Sequence, residues 1–237
     1  MSENLYAPPR ADLGPGAGEA AIGTGDFEIA RCVSEAWAAT RSNFPLWLVV
    51  GVIWTLAVLA SAATVIGIFL ALPVLMWGMY VFFLRMHDGG AAFGDAFGGF
   101  SRYGEALGGM LGFLLVSILI AAIGQVPSQI GAATHTTSLI AVGFLVNLGV
   151  TFFVATRINF APFLMVDRDR RLGEALRESW ASTDRTKWKV GLLLLATFAV
   201  VIAGLIAFLI GVIPASVMAY LMWVSAYRQI FGRAPQP

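Results

Sequence analysis

The sequence predicts an all-α bundle of six transmembrane helices, and three observations point there: composition, long charge-free runs and the placement of the basic residues. Apolar side chains make up 58% of the 237 residues and charged ones only 12%, against about 25% charged in soluble domains. The mean hydropathy is +0.79. The 15 Lys and Arg nearly cancel the 14 Asp and Glu, so a net charge of +1 offers no basic face for nucleic acid. One cysteine, Cys32, excludes an intrachain disulfide, and two histidines leave little for a metal site.

Three runs carry no Asp, Glu, Lys or Arg. They are Ser42 to Leu84, Ala106 to Thr156 and Val190 to Tyr227, of 43, 51 and 38 residues. An ionised side chain at the bilayer centre costs about 2.5–3.5 kcal/mol, so these runs mark where the chain crosses. One crossing needs about 20 helical residues, and each run therefore suits two. Small residues, polar residues and prolines divide the runs into expected spans at 44–63 and 66–84, 107–126 and 139–156, and 190–207 and 211–227. In the second run the divider is Pro127 with the polar patch Thr134 to Ser138. Together residues 26–231 form one six-span domain, flanked by a tail over 1–25, rich in proline and glycine and expected to be disordered, and a short tail over 232–237.

All 15 basic residues fall in the N-terminal segment, the connections 85–105 and 157–189, or the C-terminal tail. The positive-inside rule then places both termini and both connections in the cytoplasm and leaves three uncharged turns outside. The first forty residues lack a basic-then-apolar pattern, so the first span is expected to act as its own uncleaved insertion signal.

A unit recurs three times. Glu35-Ala36-Trp37, Asp95-Ala96-Phe97 and Glu178-Ser179-Trp180 each combine an acid, a small residue and an aromatic. Each following hairpin holds an Ile-Gly pair and a proline, and its second span exits at Arg85, Arg157 or Arg228, spaced 72 and 71 residues apart. The units read as an amphipathic helix plus a membrane hairpin. Phe27, Ala30, Val33 and Trp37 behind Asp26 as N-cap, then Phe93, Phe97 and Phe100, then Leu172, Leu176, Trp180 and Thr183 make the three aromatic stripes, suited to the membrane interface or to packing on the bundle. Gly104, Gly108 and Gly112 form a small-residue stripe for close helix approach.

The stretch Pro73-Val74, Gly78-Met79, Arg85, Asp88-Gly89, Phe97, Gly99-Phe100 and Arg102 resembles a family of uncharacterised bacterial six-span inner-membrane proteins. Phe160-Ala161-Pro162, Glu174-Ala175, Ser179 and the closing Tyr227-Arg228-Gln229-Ile230-Phe231 extend the resemblance over about residues 27–231, with Gln229 where an acid is expected. The group looks related to the membrane domain ahead of some glycerophosphodiester phosphodiesterases, whose catalytic domain this sequence lacks. The resemblance implies a bacterial cytoplasmic membrane and brings no activity with it.

No nucleophile, base or metal cluster stands out, so no enzymatic activity and no cofactor are expected. His87, Asp88 and Asp95 are a weak cation candidate, Cys32 reads as a packing residue and Gly23-Thr24-Gly25 is not a phosphate loop. The preferred reading is a membrane scaffold or assembly factor that meets lipid or a protein partner through Trp37, Trp180, Arg168, Arg170 and Arg171; the 157–189 connection holds eight basic and five acidic residues. The alternative is a carrier or channel for a lipid or uncharged molecule, with Gln125 and Asn147 as its intramembrane polar site.

Overall fold

A computed structural model describes residues 23–206 and 211–233, so most of the expected tails lies outside the described residues. Among those residues the chain forms ten α-helices, one 3-10 helix and no strand. In order these are α1 (Ile29–Ser42), α2 (Phe44–Ala62), α3 (Val65–Leu70), α4 (Leu72–His87), the 3-10 helix Phe93–Phe100, α5 (Tyr103–Ala133), α6 (Thr137–Ile158), α7 (Ala161–Arg168), α8 (Leu172–Ser182), α9 (Lys187–Ile206) and α10 (Val212–Phe231). Four stretches are long and apolar enough to cross a membrane: Phe44–Ala62, Tyr103–Ala133, Thr137–Arg168 and Lys187–Ile206. Leu72–His87 is apolar but shorter.

The hairpins differ from expectation in two places. The expected span 66–84 is two helices meeting at Ala71, with Pro73 in the first turn of α4, where its missing N–H costs nothing. Thr64 caps α3 by accepting from the Gly67 amide at 2.9 Å. In the second hairpin no break occurs at Pro127, because α5 runs through it to Ala133 and the chain turns at Thr134–Thr136, with His135 in the left-handed region. A membrane helix tolerates an internal proline where its neighbours and side chains re-satisfy the freed backbone groups. Here Gly143 of α6 lies against Pro127 and Ser128 with no room for a side chain between them. The turn of the third hairpin falls partly outside the described residues.

Of the three short helices, α1 and α8 are α-helices with one buried face, as expected, and the differences lie in the cap and outer face of α1 and in the second short helix. Asp26 is not the N-cap of α1; Glu28 stands there, while Asp26 binds Lys189 Nζ at 2.5 Å. The buried face of α1 is Cys32, Ala36 and Thr40, so Trp37 points outward. The second short helix is 3-10, rich in glycine, and lies so close to α4 that a Cβ on Gly78 would strike the Ala96 carbonyl and one on Gly99 the Val74 carbonyl. Of the small-residue stripe, Gly112 receives Leu172 of α8 while Gly104 and Gly108 face open space.

Burial is concentrated at one end. Phe82, Met86, Phe160, Leu164, Met165, Leu221, Met222 and Tyr227 are fully enclosed there, among α1, α4, α7 and α10. Toward the other end the long helices expose Leu119, Ile123, Phe144, Leu145 and Phe198, a surface that water would penalise and a bilayer would accept. In this arrangement α10 packs on α1, α4 on the 3-10 helix, α6 on α8, and α5 on α6.

Because the atoms facing Gly78 are backbone, Gly78→Val is expected to cost about 1–3 kcal/mol through overpacking. Gly108→Ala, at an open helical position, should cost nothing. Thermal unfolding of the two purified variants in one detergent checks the contrast.

Candidate functional site

The connections between the long helices bring most of the charge to the densely packed end. Arg228, near the C-terminus of α10, donates from Nη1 to Asp167 Oδ2 and from Nη2 to Asp88 Oδ2, both at 2.7 Å. It joins α10 to α7 and to the end of α4. Its 10% exposure makes this pairing obligatory, since an unpaired interior guanidinium costs several kcal/mol. Tyr227 adds a second donor to Asp167 at 2.8 Å, and Arg233 lies 3.5 Å from Asp88.

A second chain of contacts fastens α1. Glu35 Oε2 accepts from Ser225 Oγ at 2.5 Å and lies 3.3 Å from His87 Nε2. Its other oxygen accepts from Arg31 Nε at 2.7 Å. Gln229 donates to Ser225 Oγ at 3.0 Å and accepts from the Glu28 amide at 2.9 Å, while its Nε2 stands 3.5 Å from Cys32 Sγ. The Gly23-Thr24-Gly25 segment ends here too, its Thr24 and Gly25 amides donating to the Gln229 and Ile230 carbonyls at 3.0 and 3.2 Å. These glycines are therefore structural.

Burial works against the charge on Glu35, yet hydrogen bonds from His87, Ser225 and Arg31 outweigh it and hold the carboxyl at about 2. For His87 burial also opposes ionisation, and the Asp88 and Glu35 carboxylates outweigh it, so the imidazole titrates above its usual range. Desolvation drives the Cys32 thiol up to about 11, which makes it unreactive at neutral pH.

Two further arginines at apolar helix ends, Arg85 and Arg157, are fastened to the 3-10 helix and to the C-terminal end of α8. Arg85 reaches Asp95 at 2.5 Å, and Asp95 also accepts from the Ala92 amide at 2.7 Å. Arg157, 6% exposed, lies between the rings of Phe153 and Trp180 at 5.4 and 5.2 Å and binds Asp184 at 3.0 Å. Ser179 Oγ donates back to the Arg157 carbonyl at 2.6 Å.

The sequence-derived site residues separate into groups. Arg168 donates to the Phe231 carbonyl and sits 3.8 Å from Glu178, and Arg170 lies 3.2 Å from the same carboxylate, so both hold α7 and α8 in place. Arg171 is exposed at the start of α8 with no ion-pair partner among the described residues. Trp37 is 58% exposed, while Trp180 is half-exposed and engaged with Arg157. Gln125 is exposed on α5, whereas Asn147 lies against Gly124 and accepts from Thr151 Oγ1 at 3.4 Å, so the two amides do not meet through a hydrogen bond. His87, Asp88 and Asp95 do not converge, since Asp95 is taken by Arg85. Among the described residues no cluster of three His, Cys, Asp or Glu is placed to hold a metal ion.

Sequence reasoning singled out Glu35 and Arg228 as repeat markers but not their partners Ser225 and Asp167. The available signal was that a charge next to an apolar span needs a counter-charge; its partner lies 61 residues away in the case of Arg228 and Asp167.

A different feature lies within the apolar part. A crevice of about 500 Å³ opens between α2, α4 and α10, lined by Gly51, Trp54, Thr55, Met79, Ser216 and Tyr220 among others. A smaller one of about 320 Å³, bordered by Phe163, Leu194 and Trp223, shares Tyr80 and Tyr220 with it.

An all-helical chain with four helices of membrane-crossing length and apolarity, closed at one end by ion pairs, belongs to the class of helical membrane proteins. No protein-family model matches it, and neither a curated protein nor a solved structure does.

Linkage sets the pH response of the Glu35–His87 contact. Glu35, lowered from 4.5, contributes fully above about 4.5 and its contribution is lost as the pH falls toward about 2. His87, raised from 6.5, contributes fully below 6.5 and its contribution is lost as the pH rises through the raised value. The melting temperature is expected to peak between these limits, and His87→Gln should remove the alkaline decline. Asp167→Asn should lower stability by about 1–3 kcal/mol at every pH in that window, since Arg228 keeps only Asp88.

Proposed function

We propose that this chain is a six-span protein of the bacterial inner membrane that acts, without catalysis, as a scaffold or assembly factor. The spans lie within α2, α3 with α4, α5, α6, α9 and α10, and the charged ends of these helices and both termini lie on the cytoplasmic side. Three supports stand behind the six-span, threefold reading. The basic residues avoid the turn at Thr134–Thr136. Each hairpin's second span packs on a short helix: α4 on the 3-10 helix of the next unit, α6 on α8, and α10 back on α1, as three related units closing in a ring would. Each exit arginine, Arg85, Arg157 and Arg228, finds a carboxylate at that same end.

The observation that carries the scaffold reading is the division of the basic residues. Arg168, Arg170, Arg157 and Arg228 are used internally, whereas Arg41, Arg171, Arg185 and Lys187 are exposed and make no ion pair among the described residues. Trp37, Trp180 and Trp188 are exposed on the same short helices and at the start of α9. Tryptophan beside unpaired basic side chains suits the headgroup layer, where each Lys or Arg contributes about 1 kcal/mol toward an anionic leaflet. It also forms a rim on which a protein partner can be held at the membrane.

Two measurements test this. A single cysteine at Thr136 should react with a membrane-impermeant maleimide in intact cells and one at Arg171 only after lysis, against a native Cys32 that is fully buried; reversed labelling would sink the orientation. Changing Arg171, Arg185 and Lys187 together to Gln should weaken retention of anionic lipid, and of any stoichiometric partner, in polymer-bounded lipid discs about tenfold or more while leaving the melting temperature unchanged. Arg168→Gln should do the opposite, because it releases α7 from Phe231.

A further inference from the structure

The larger crevice is walled by three of the proposed spans, and its polar lining atoms are largely spent on backbone carbonyls of α2, α4 and α10. Thr55 Oγ1 donates to the Gly51 carbonyl at 2.7 Å, Ser216 Oγ to the Val212 carbonyl at 2.8 Å and Trp54 Nε1 to the Leu75 carbonyl at 3.3 Å. The rest of the lining is apolar, and the hydroxyls of Tyr80 and Tyr220, two of the lining residues, make no hydrogen bond among the described residues. Leu48, Val52, Leu56, Met76 and Ile213 form its exposed lips and continue the apolar outer surface. Water has few partners in such a hollow.

Depth identifies the occupant. Tyr80 precedes Arg85 by five residues and Tyr220 precedes Arg228 by eight, which at about 1.5 Å per residue puts their backbone roughly 8–12 Å inside the charged end. That is the depth of the ester groups and upper chain of a phospholipid whose headgroup lies at that end. The volume falls within the range of about 300–1,000 Å³ that binds small ligands.

From this we infer that the crevice between α2, α4 and α10 is a binding site for one acyl chain of a phospholipid, with the Tyr80 and Tyr220 hydroxyls directed at its ester region. The inference rests on the six-span reading and adds a lipid ligand to the scaffold. The chain enters sideways from the surrounding leaflet, so binding needs no opening of the packed end.

The test uses the full-length protein in phosphatidylcholine vesicles doped with phosphatidylcholine bearing a diazirine on its acyl chain. After illumination, adducts are mapped by mass spectrometry. Adducts within 51–56, 76–80 and 212–220 should exceed those on the exposed α6 face 144–148 several-fold. Gly51→Phe together with Ser216→Phe should cut the crevice adducts several-fold and leave those on α6 unchanged. Gly51 has no neighbour within 4 Å of a built Cβ, so a side chain there starts into open space, and an unchanged melting temperature of the double variant checks that the bundle is intact. Leu145→Phe, on the outer face of α6, should change neither. Equal labelling of crevice and α6, or labelling that the filled variant retains, overturns the inference and leaves the spans intact. Crevice labelling that emerges only after residues 1–22 are removed overturns it in favour of the chain's own N-terminal segment as occupant. Labelling of neither surface overturns the six-span reading itself.

Discussion

A guanidinium at the edge of an apolar bundle must be neutralised where it stands, and Arg228 meets that constraint by lying between Asp88 and Asp167. The consequence spreads through the packed end. Asp88 follows α4 and Asp167 belongs to α7, so one cation fixes three helices, and Tyr227 stacks on Phe163 while donating to the same Asp167. One turn earlier on α10, Ser225 reaches Glu35 and draws α1 onto the same surface. Removing a partner from such a set leaves a stranded charge, which is why these contacts specify the arrangement more than they add stability.

The apolar part is organised by a different rule. Between helices in hydrocarbon there is little hydrophobic gain, so close backbone approach takes over. Gly143 against Pro127 and Gly124 against Asn147 seat α5 on α6, and Gly78 and Gly99 seat the 3-10 helix on α4. Between α2, α4 and α10 no such close approach forms, and a crevice remains. A stiff charged end and a loosely packed apolar part suit a protein that presents a fixed surface at one side of the membrane and accepts lipid from the side.

This division also separates the two kinds of arginine. Arg168 and Arg170 looked equivalent to Arg171 as a basic run in sequence. In the folded chain Glu178 and the Phe231 carbonyl take the first two, and only Arg171 stays exposed without an ion pair. Trp37 and Trp180 are both exposed, but only Trp180 also carries an arginine, Arg157, on its ring.

Helical class, the apolar runs and the exit arginines were readable from residue order, because hydrocarbon penalises charge and unpaired backbone whatever the tertiary contacts are. Proline position was a poorer guide. Pro127 does not end its helix, since a membrane helix can continue through a proline when a neighbour packs closely on it, here Gly143. The 3-10 form of Phe93–Phe100 and the outward face of Trp37 likewise follow from what α4 and α10 present to them. The Glu35–His87–Ser225 and Asp88–Arg228–Asp167 contacts lay beyond sequence reasoning altogether. Each joins residues between 52 and 190 positions apart, and local patterning carries no information on which of many possible counter-charges a folded chain will bring within 3 Å or so. Chain chemistry set where charges are permitted, and three-dimensional packing selected which of them meet.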